Sequence, residues 1–203
     1  MDIAIIGGGG HSLVIIDAIR EINKLNNKKY NIVGIYDDKI TETKSKIKIL
    51  GKINELNNNY KYIISVGDIN IRKNIYEKYK HLNWITIIHP KSIISEMCFI
   101  GEGSFIGAGS VVQPYAKIGN HCIVNTNSNI DHESSIGDFC NISPSVCICG
   151  NVTIEDNVFI GANTCIIEKV YIKSSNIIGA NSLVLKNIYE SGTYVGNPVK
   201  KIK

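Results

Sequence analysis

An aliphatic residue recurs at every sixth position from Ile88 to Val184, through seventeen hexads without a gap. This period is incompatible with an α-helix, whose faces repeat every 3.6 residues, but it suits a short strand followed by a turn. A feature this regular must be explained first, because it fixes the architecture of half the chain. The series is Ile88, Ile94, Ile100, Ile106, Val112, Ile118, Val124, Ile130, Ile136, Ile142, Ile148, Ile154, Ile160, Ile166, Ile172, Ile178 and Val184.

The other positions of the hexad agree with this reading. The fifth residue is small or β-branched and lies two positions before the next aliphatic residue, so both point to the same side of a strand. Asn, Gly, Asp and Pro collect at the third and fourth positions, which are typical of corners. Stacked coils of this kind predict a parallel β-helix over residues 88–203. The fifth-position residues include Ser104, Ser110, Ala116, Cys122, Ser128, Ser134, Cys140, Val146, Val152, Val158 and Thr164.

Residues 1–87 have a different pattern. The segment DIAII predicts a buried strand, GGGGHS a turn, and the residues from about Leu13 to Leu25 an amphipathic helix. Further strands are predicted in NIVGIY, KYIISVG and WITIIHP, with a helix in INIRKNIYEKY. Alternation of strands and helices predicts a small Rossmann-like parallel sheet, so the fold class is α/β followed by an all-β β-helix.

Ligands of such sheets bind beyond the carboxyl ends of the strands. Gly8 and Gly10 precede the first helix, where backbone N–H groups suit a phosphate. Asp37 and Asp38 end the second strand and can accept hydrogen bonds from a base or ribose. Leu13 replaces the third glycine of the dinucleotide fingerprint, so a mononucleotide fits better than NAD or FAD. The alternative is that the glycines only form a tight turn and the aspartates only end a strand.

Composition excludes several classes of function. The net charge of +4 is too mild to indicate nucleic-acid binding, and no apolar run is long enough to cross a membrane. The N-terminus does not read as a signal peptide, so we expect a soluble, cytoplasmic protein. The six cysteines lack the spacing of a disulfide framework or a zinc site, so we expect small core residues and no metal.

The segment NIDHESSIGDF contains the strongest candidate for chemistry. His132 holds the third position of its hexad, a corner, and an imidazole of ordinary pKa suits general-base catalysis near neutrality. Glu133 follows it, and a neighbouring carboxylate favours the protonated ring. Asp131 is expected to be a turn residue. The alternative for His132 is a solvated surface histidine. His121, at another corner, is expected on the surface or at a subunit contact.

The whole chain resembles the hexapeptide-repeat nucleotide-sugar acetyltransferases, which include sialic acid O-acetyltransferase-like enzymes and the UDP-4-amino-sugar N-acetyltransferase of the bacillosamine pathway. The family forms left-handed parallel β-helices with three hexads per coil. The resemblance rests on these segments, in family order: IIGGGGHSLVI, IYDD, ISVGDINIRKNIY, IHPKSIIS, VNTNSNIDHESSIGDFCNISP, GNVTIEDNVFIGANTCI and YVGNPVKKI.

The resemblance implies roles for individual residues. His132 looks like the catalytic base and Glu133 like the group that orients it. His11 is similar to a family residue at the sugar end of the substrate, and Asp37 and Asp38 resemble contacts to the nucleotide base. The remaining implied substrate contacts are Gly8, Gly10 and Asn125.

A second implied set binds acetyl-CoA. Asn141 stands where bacillosamine-type enzymes have a second histidine, nine residues after the catalytic one, so this contact differs from the family pattern. The resemblance also implies homotrimers with the acyl-CoA groove between adjacent β-helices, and places Lys200 and Lys201 near the CoA phosphates. The implied groove residues are Asn141, Gly150, Ala162, Gly179, Ala180 and Pro198.

We therefore expect an acetyl-CoA-dependent N-acetyltransferase that acts on the amino group of a nucleotide-linked 4-amino-deoxy sugar by direct transfer, with a histidine general base. Two alternatives stay open: O-acetylation of a sialic-acid-like sugar, and a non-catalytic nucleotide-sugar-binding scaffold. The expected partners are the nucleotide-sugar and two further copies of the chain, with neither nucleic acid nor membrane.

Overall fold

The computed structural model describes residues 1–25 and 29–203. The chain divides into two compact units, Met1–Pro90 and Lys91–Lys203. The sequence placed the boundary between residues 87 and 88. Each unit has the fold that its sequence pattern predicts, and the predicted fold class is confirmed.

The N-terminal unit is a parallel sheet with two helices. Its strands are β1 (Asp2–Ile6), β2 (Asn31–Tyr36), β3 (Ile49–Gly51), β4 (Lys61–Ile64) and β5 (Asn83–Trp84), in the order β3-β2-β1-β4-β5. The helices are α1 (Gly10–Leu25) and α2 (Ile69–Lys78), with a 3₁₀ turn at Ile53–Glu55 and a further short strand at Ile87–Ile88. The edge strand β3 was not predicted, because three residues are too few for a periodic signal.

Helix α1 begins three residues before its predicted start, directly at the glycine run. Ile15, Ile19 and Ile22 are buried at helical spacing, and this apolar stripe gives the helix its buried face. Strand β1 is fully buried from Ile3 to Ile6, as expected of a central parallel strand.

Residues 91–203, all of which the structure describes, form a left-handed parallel β-helix with three faces. Strands in neighbouring coils pair in parallel register with residues 18 positions away, as in Val112↔Ile130. Face 1 contains Ile93–Ile94, Val111–Val112, Asn129–Ile130, Cys147–Ile148, Cys165–Ile166 and Leu183–Val184. Face 2 contains Phe99–Ile100, Lys117–Ile118, Ser135–Ile136, Thr153–Ile154 and Tyr171–Ile172. Face 3 contains Phe105–Ile106, Ile123–Val124, Asn141–Ile142, Phe159–Ile160, Ile177–Ile178, Thr193–Val195 and Lys200–Lys201.

The interior of the β-helix is lined by the first and fifth hexad positions, as predicted. The aliphatic residues from Ile106 to Val184 are buried, whereas Ile94 and Ile100 at the start of the solenoid are half-buried. The inward serines satisfy their hydroxyls on the backbone: Ser134 Oγ donates to the Cys149 carbonyl at 2.8 Å, and Ser128 Oγ to that of Ser143 at 2.9 Å. Buried polar groups need such partners, so small hydroxyl residues are tolerated inside.

The corners share one backbone geometry. The fourth residue of every hexad from 103 to 181 has positive φ, between 51° and 69°. Asn and Gly adopt this left-handed conformation most easily, and other residue types pay for it in strain. Several corners nevertheless carry other residues, among them Tyr115, His121, Glu133, Phe139 and Lys169.

Candidate functional site

His132 and Glu133 form a pair on the edge between face 1 and face 2, which we call edge 1–2. Glu133 Oε2 lies 3.0 Å from His132 Nδ1, and both side chains are about half exposed, at 55% and 53%. The Asn151 amide, one coil further, donates to the same Glu133 oxygen at 3.3 Å. A carboxylate can only accept hydrogen bonds, so the neutral ring tautomer that fits this contact has its proton on Nδ1 and its lone pair on Nε2.

Gly150 supports the imidazole from below. A Cβ at Gly150 would lie 2.7 Å from both Cε1 and Nε2 of His132, so only glycine lets the ring lie over this corner. The Gly150 N–H donates to no acceptor in the described chain, and the Gly150 carbonyl accepts from Lys169 N at 3.0 Å. A backbone N–H with no acceptor in the described chain suits a developing negative charge on a substrate oxygen.

Asp131 is a turn residue, as predicted. Its Oδ1 accepts a hydrogen bond from the His132 backbone N–H at 2.7 Å. This bond is to the backbone of the corner and not to the imidazole.

The other predicted cofactor residues lie elsewhere on the solenoid. Ala162 and Ala180 stack on the edge between face 3 and face 1, edge 3–1, where Asn181 N donates to the Ala162 carbonyl at 2.9 Å. Gly179 begins the same edge one coil above, and a Cβ there would lie 2.7 Å from Val195 Cγ1 of the C-terminal segment. Asn141 lies on face 3 and is 7% exposed. Within one chain, the predicted groove residues are therefore divided between two edges.

Asn125 also lies on edge 3–1. Its Oδ1 accepts from the Thr126 backbone N–H at 2.8 Å, and the Asn125 carbonyl accepts from Ser110 Oγ. Predicted as a substrate contact, Asn125 is thus on a different edge from His132 in the same chain.

The C-terminal segment is an ordered part of face 3. Lys200–Lys201 pairs antiparallel with Thr193–Val195, and Lys201 Nζ lies 2.9 Å from Glu190 Oε2, which raises the pKa of the lysine. Pro198 follows a cis peptide bond and lines a cavity of about 260 Å³ together with Leu185, Tyr194 and Val199.

The glycine loop of the N-terminal unit leads into α1. Gly10 is the first helical residue, and neither Gly9 nor Gly10 has an atom within 4 Å of an added Cβ, so the loop is open on this side. A cavity of about 310 Å³ borders it, lined by Gly8, Gly9, Gly10, Leu13, Ile40, Glu42, Thr43 and Lys44. A helix N-terminus next to a cavity of this size can hold a phosphate group.

Asp37 holds the glycine loop in place. Its Oδ2 accepts from Gly8 N at 2.7 Å, while Oδ1 accepts from Lys39 N and Ile40 N at 2.8 Å each. Burial would raise the pKa of this carboxyl, but the three backbone donors outweigh burial and lower it. Asp38 Oδ1 accepts from Ile53 N at 2.9 Å. Both predicted base contacts therefore also organise the backbone.

His11, in the first turn of α1, lies near a cation that sequence reasoning did not single out. Burial and then the charge of Arg72 lower the pKa of His11 to about 4, so its ring is neutral near pH 7. Arg72 is only 1% exposed, and its Nη1 donates to the carbonyls of Val66 and Gly67 at the end of β4. The predicted ligand site at the carboxyl ends of the strands should have included Arg72, because the helix that carries it, α2, follows β4 directly.

His121 corrects an expectation. The ring is fully buried within its own chain, stacked on Phe139 with 5.4 Å between ring centroids and 6° between planes. On its other side it covers Gly103. The His121 ring is buried because Gly103 in the preceding coil leaves space for it and the Phe139 ring in the following coil covers it.

The cysteines correct a second expectation. Cys122 and Cys140 are buried inward, as predicted. Cys147, Cys149 and Cys165 are only half-buried and, by alternation along the strand, point outward from face 1. For these three, the interpretation as core residues is wrong, because they occupy the second and sixth positions of their hexads, which point outward.

Comparison with known proteins agrees with this arrangement of units. Residues 2–79 match the family model of the PglD N-terminal domain, and residues 97–132 that of the bacterial transferase hexapeptide, six repeats. The chain thus combines a region similar to the PglD N-terminal domain with a region similar to the bacterial transferase hexapeptide.

Particular relatives narrow this comparison. The acetyltransferase domain of PglB from Neisseria gonorrhoeae FA1090 superposes with a TM-score of 0.92 and 27% identity over 99% of both chains, and a second structure of it contains acetyl coenzyme A. PerB from Caulobacter crescentus, in complex with CoA and GDP-perosamine, shares the fold with a TM-score of 0.90 and 24% identity, over 100% of this chain and 98% of that one.

Curated relatives match over part of their length. UDP-N-acetylbacillosamine N-acetyltransferase of Bacillus subtilis (strain 168) is 30% identical over 116 residues, which are 53% of this chain and 51% of that protein. An uncharacterised protein of Acanthamoeba polyphaga mimivirus is 32% identical over 123 residues, 59% of this chain and 24% of that protein. The chain thus spans about half the length of the first of these relatives and about a quarter of the second. Together, the matches confirm the predicted resemblance to nucleotide-sugar acetyltransferases.

Among the described residues, no helix combines the length and the apolar character that crossing a bilayer requires.

Proposed function

We propose that this protein is an acetyl-CoA-dependent N-acetyltransferase for the amino group of a nucleotide-linked 4-amino-deoxy sugar, in the synthesis of glycans. The observation that carries the proposal is the half-exposed His132 imidazole, whose Nδ1 is held by Glu133 at 3.0 Å. The 27% identical acetyltransferase domain with acetyl coenzyme A and the 30% identical bacillosamine enzyme support the reaction class.

His132 acts as the general base in a direct transfer. Its Nε2 takes the proton that the sugar amine loses as the nitrogen bonds to the thioester carbonyl carbon and the C–S bond breaks. The Glu133 carboxylate stabilises the imidazolium that forms. General-base assistance of this kind is worth about 10²–10⁴-fold. This direct transfer requires no acyl-enzyme. Burial raises the pKa of Cys149, the cysteine next to Gly150, to about 11, which keeps its thiol a poor nucleophile.

Gly150 and the small residues of edge 3–1 suit a long, thin thioester ligand. The Gly150 N–H is free to donate to the carbonyl oxygen as negative charge develops, a contact worth roughly 3 kcal/mol. Ala162 and Ala180 leave room along their edge. The acetyl group and its carrier would supply the electrophile, while the chain supplies the proton acceptor and the oxyanion donor.

The division of these residues between two edges favours a homotrimer. In one β-helix, His132 and Gly150 lie on edge 1–2, whereas Ala162 and Ala180 lie on edge 3–1. Around a threefold axis, edge 1–2 of each chain can face edge 3–1 of the next, which brings both sets into one groove.

The glycine loop is the proposed nucleotide site. Its cavity of about 310 Å³ borders the N-terminus of α1, and the neutral His11 imidazole in that first turn can accept or donate a hydrogen bond. The phosphates would bind the backbone N–H groups at Gly9 and Gly10. Asp37 and Asp38 would position the loop and contact the base or ribose.

Release of CoA by purified protein tests this function. We expect turnover with acetyl-CoA and one of a panel of UDP-, dTDP- and GDP-linked 4-amino sugars, with the product acetylated on nitrogen. Acetylation of a hydroxyl would show the O-acetyltransferase alternative. Binding of nucleotide-sugars without any turnover would show a non-catalytic scaffold and refute the proposed enzyme.

His132→Ala tests the assignment of the base. Because this variant loses the proton acceptor but keeps the groove, we expect kcat to fall by at least about 10²-fold while acetyl-CoA binds with unchanged affinity. Calorimetry measures the affinity and CoA release the rate. His81→Ala, an exposed histidine of the N-terminal unit, is the matched control and should behave as wild type. Near-normal turnover in His132→Ala would contradict the assignment.

A further inference from the structure

Three thiols meet on the outer side of face 1. Cys147 and Cys165 are directly paired in neighbouring coils, and Cys149 lies two residues after Cys147 on the same side of the strand. The three Sγ atoms all lie within 4.8 Å of one another. Residue spacing along the sequence hides this group, because Cys165 is 18 residues from Cys147 and only the coil brings them together.

We propose that Cys147, Cys149 and Cys165 bind a thiophilic divalent cation of the zinc class through three thiolates. Tetrahedral coordination with Zn–S bonds of about 2.3 Å requires sulfur atoms about 3.8 Å apart. Side-chain rotations that move the Sγ atoms closer together by up to about 1 Å would therefore complete the site. Soft sulfur ligands select this class of ion over Mg²⁺ or Ca²⁺. The proposal does not depend on the acetyltransferase reaction.

Position and charge support the proposal. All three residues are half-buried within their own chain, and their backbone is held in the rigid coil. When a cation binds, three S–H protons pass to solvent as three metal–sulfur bonds form, and the close thiolates no longer repel one another.

Three protein ligands leave one tetrahedral position open, which a water molecule or an added thiol would fill. The carboxylate of Glu168 interacts electrostatically with Cys149 and adds negative charge that favours a cation. The group is therefore an open site, unlike the four-ligand arrangement of structural zinc proteins.

Titration with Cd²⁺ and Zn²⁺ tests the site. The full-length protein is reduced with a phosphine, freed of metal with a chelator, and titrated with Cd²⁺, whose bonds to thiolates give an ultraviolet charge-transfer band. We expect one ion per chain, displacement by Zn²⁺ in competition with a chromophoric chelator, and an affinity that rises with pH because protons are released.

Matched serine variants locate the ion. Cys165→Ser and Cys149→Ser should each lower the affinity by at least about 100-fold, since each loses a ligand. Cys98→Ser removes a half-buried cysteine outside the group and should bind as wild type. Retention of wild-type affinity by both ligand variants, or equal loss in Cys98→Ser, would overturn the proposal. So would a failure of the reduced protein to bind Cd²⁺, or a thiol count showing that two of the three sulfurs form a disulfide under phosphine.

Discussion

At the scale of single residues, Glu133 combines a strained backbone with a position beside the proposed base. Its φ of 60° lies in the left-handed region, which most residues other than Gly and Asn enter at a cost of about 1–2 kcal/mol. Five other corners use asparagine: Asn127, Asn151, Asn157, Asn163 and Asn181. A glutamate at this corner therefore costs stability, while its carboxylate lies 3.0 Å from His132 Nδ1.

Glu133→Asn should separate the two effects. We expect the free energy of unfolding to rise by about 0.5–1 kcal/mol, because asparagine tolerates the left-handed conformation. We expect kcat to fall at least about tenfold, because the imidazole loses the carboxylate that orients it and stabilises its protonated form. Urea denaturation and CoA release measure the two quantities.

Ser175→Asn is the matched control for Glu133→Asn. It has a φ of 59° at an exposed corner on a different edge. It should gain similar stability and keep full activity. Equal loss of activity in both variants, or no loss in Glu133→Asn, would show that Glu133 does not position His132.

Gly150→Ala should displace the His132 ring. The added Cβ would lie 2.7 Å from Cε1 and Nε2, closer than van der Waals contact allows. Misplacement of a catalytic group by about 1 Å can cost up to about 10²-fold in rate, so we expect kcat to fall by a factor between about 10 and 100. The circular dichroism and unfolding midpoint should stay close to wild type, since the ring can rotate outward. Unchanged kcat would mean that the ring position over Gly150 is not used in catalysis.

At the scale of elements, the glycine loop depends on the carboxylate of Asp37. Three backbone N–H groups donate to it, and this lowers its pKa in the folded state despite burial. A lowered carboxyl pKa contributes stability that is present above the ordinary value of 3.8 and is lost as pH falls through the folded-state pKa.

Asp37→Asn should therefore lower the free energy of unfolding at pH 7 by about 1–3 kcal/mol, since charge-assisted bonds become neutral and an amide group meets the Gly8 N–H. The difference from wild type should shrink when urea denaturation is repeated at successively lower pH below 3.8, because the wild-type contribution is lost as the pH falls through the lowered folded-state pKa. Asp38→Asn is the control: only its Oδ1 accepts, from Ile53 N, and asparagine keeps that oxygen. A difference independent of pH would contradict this account.

At the scale of the whole molecule, the division between edges 1–2 and 3–1 gives a test of assembly. His132→Ala removes the base from one edge, and Ala162→Trp should block the other. Each variant alone is expected to be inactive. If the groove lies between chains, co-expression of the two should restore about a quarter of wild-type activity, because one interface in four pairs two intact edges in a random cyclic trimer.

Light scattering on the co-expressed protein checks that it is a trimer. Activity no higher than that of the separate variants would show that a single chain holds the whole site. A monomeric wild-type protein that is active would contradict the trimer directly.

Much of the architecture follows from local chemistry. The hexad fixes which residues point inward, because alternation along two-residue strands leaves no other choice, and Ile106 to Val184 are buried accordingly. The glycine run, strand ends and corner at His132 were likewise evident from residue types. The short strand β3 was not evident, because three residues show no period, and Arg72 was overlooked although its helix follows a predicted strand end.

Residue types and their spacing were enough to predict the two units, the inward and outward positions of each hexad, and the candidate base. The contacts between coils became visible only in the folded chain. His121 was expected at the surface, yet Gly103 and Phe139, each 18 residues away, enclose it. Cys165 joins Cys147 and Cys149, and the predicted groove residues separate onto two edges. Each coil brings residues 18 positions apart into direct contact. Whether two such side chains fit together depends on their sizes, and a repeating pattern of hydrophobic residues does not predict this.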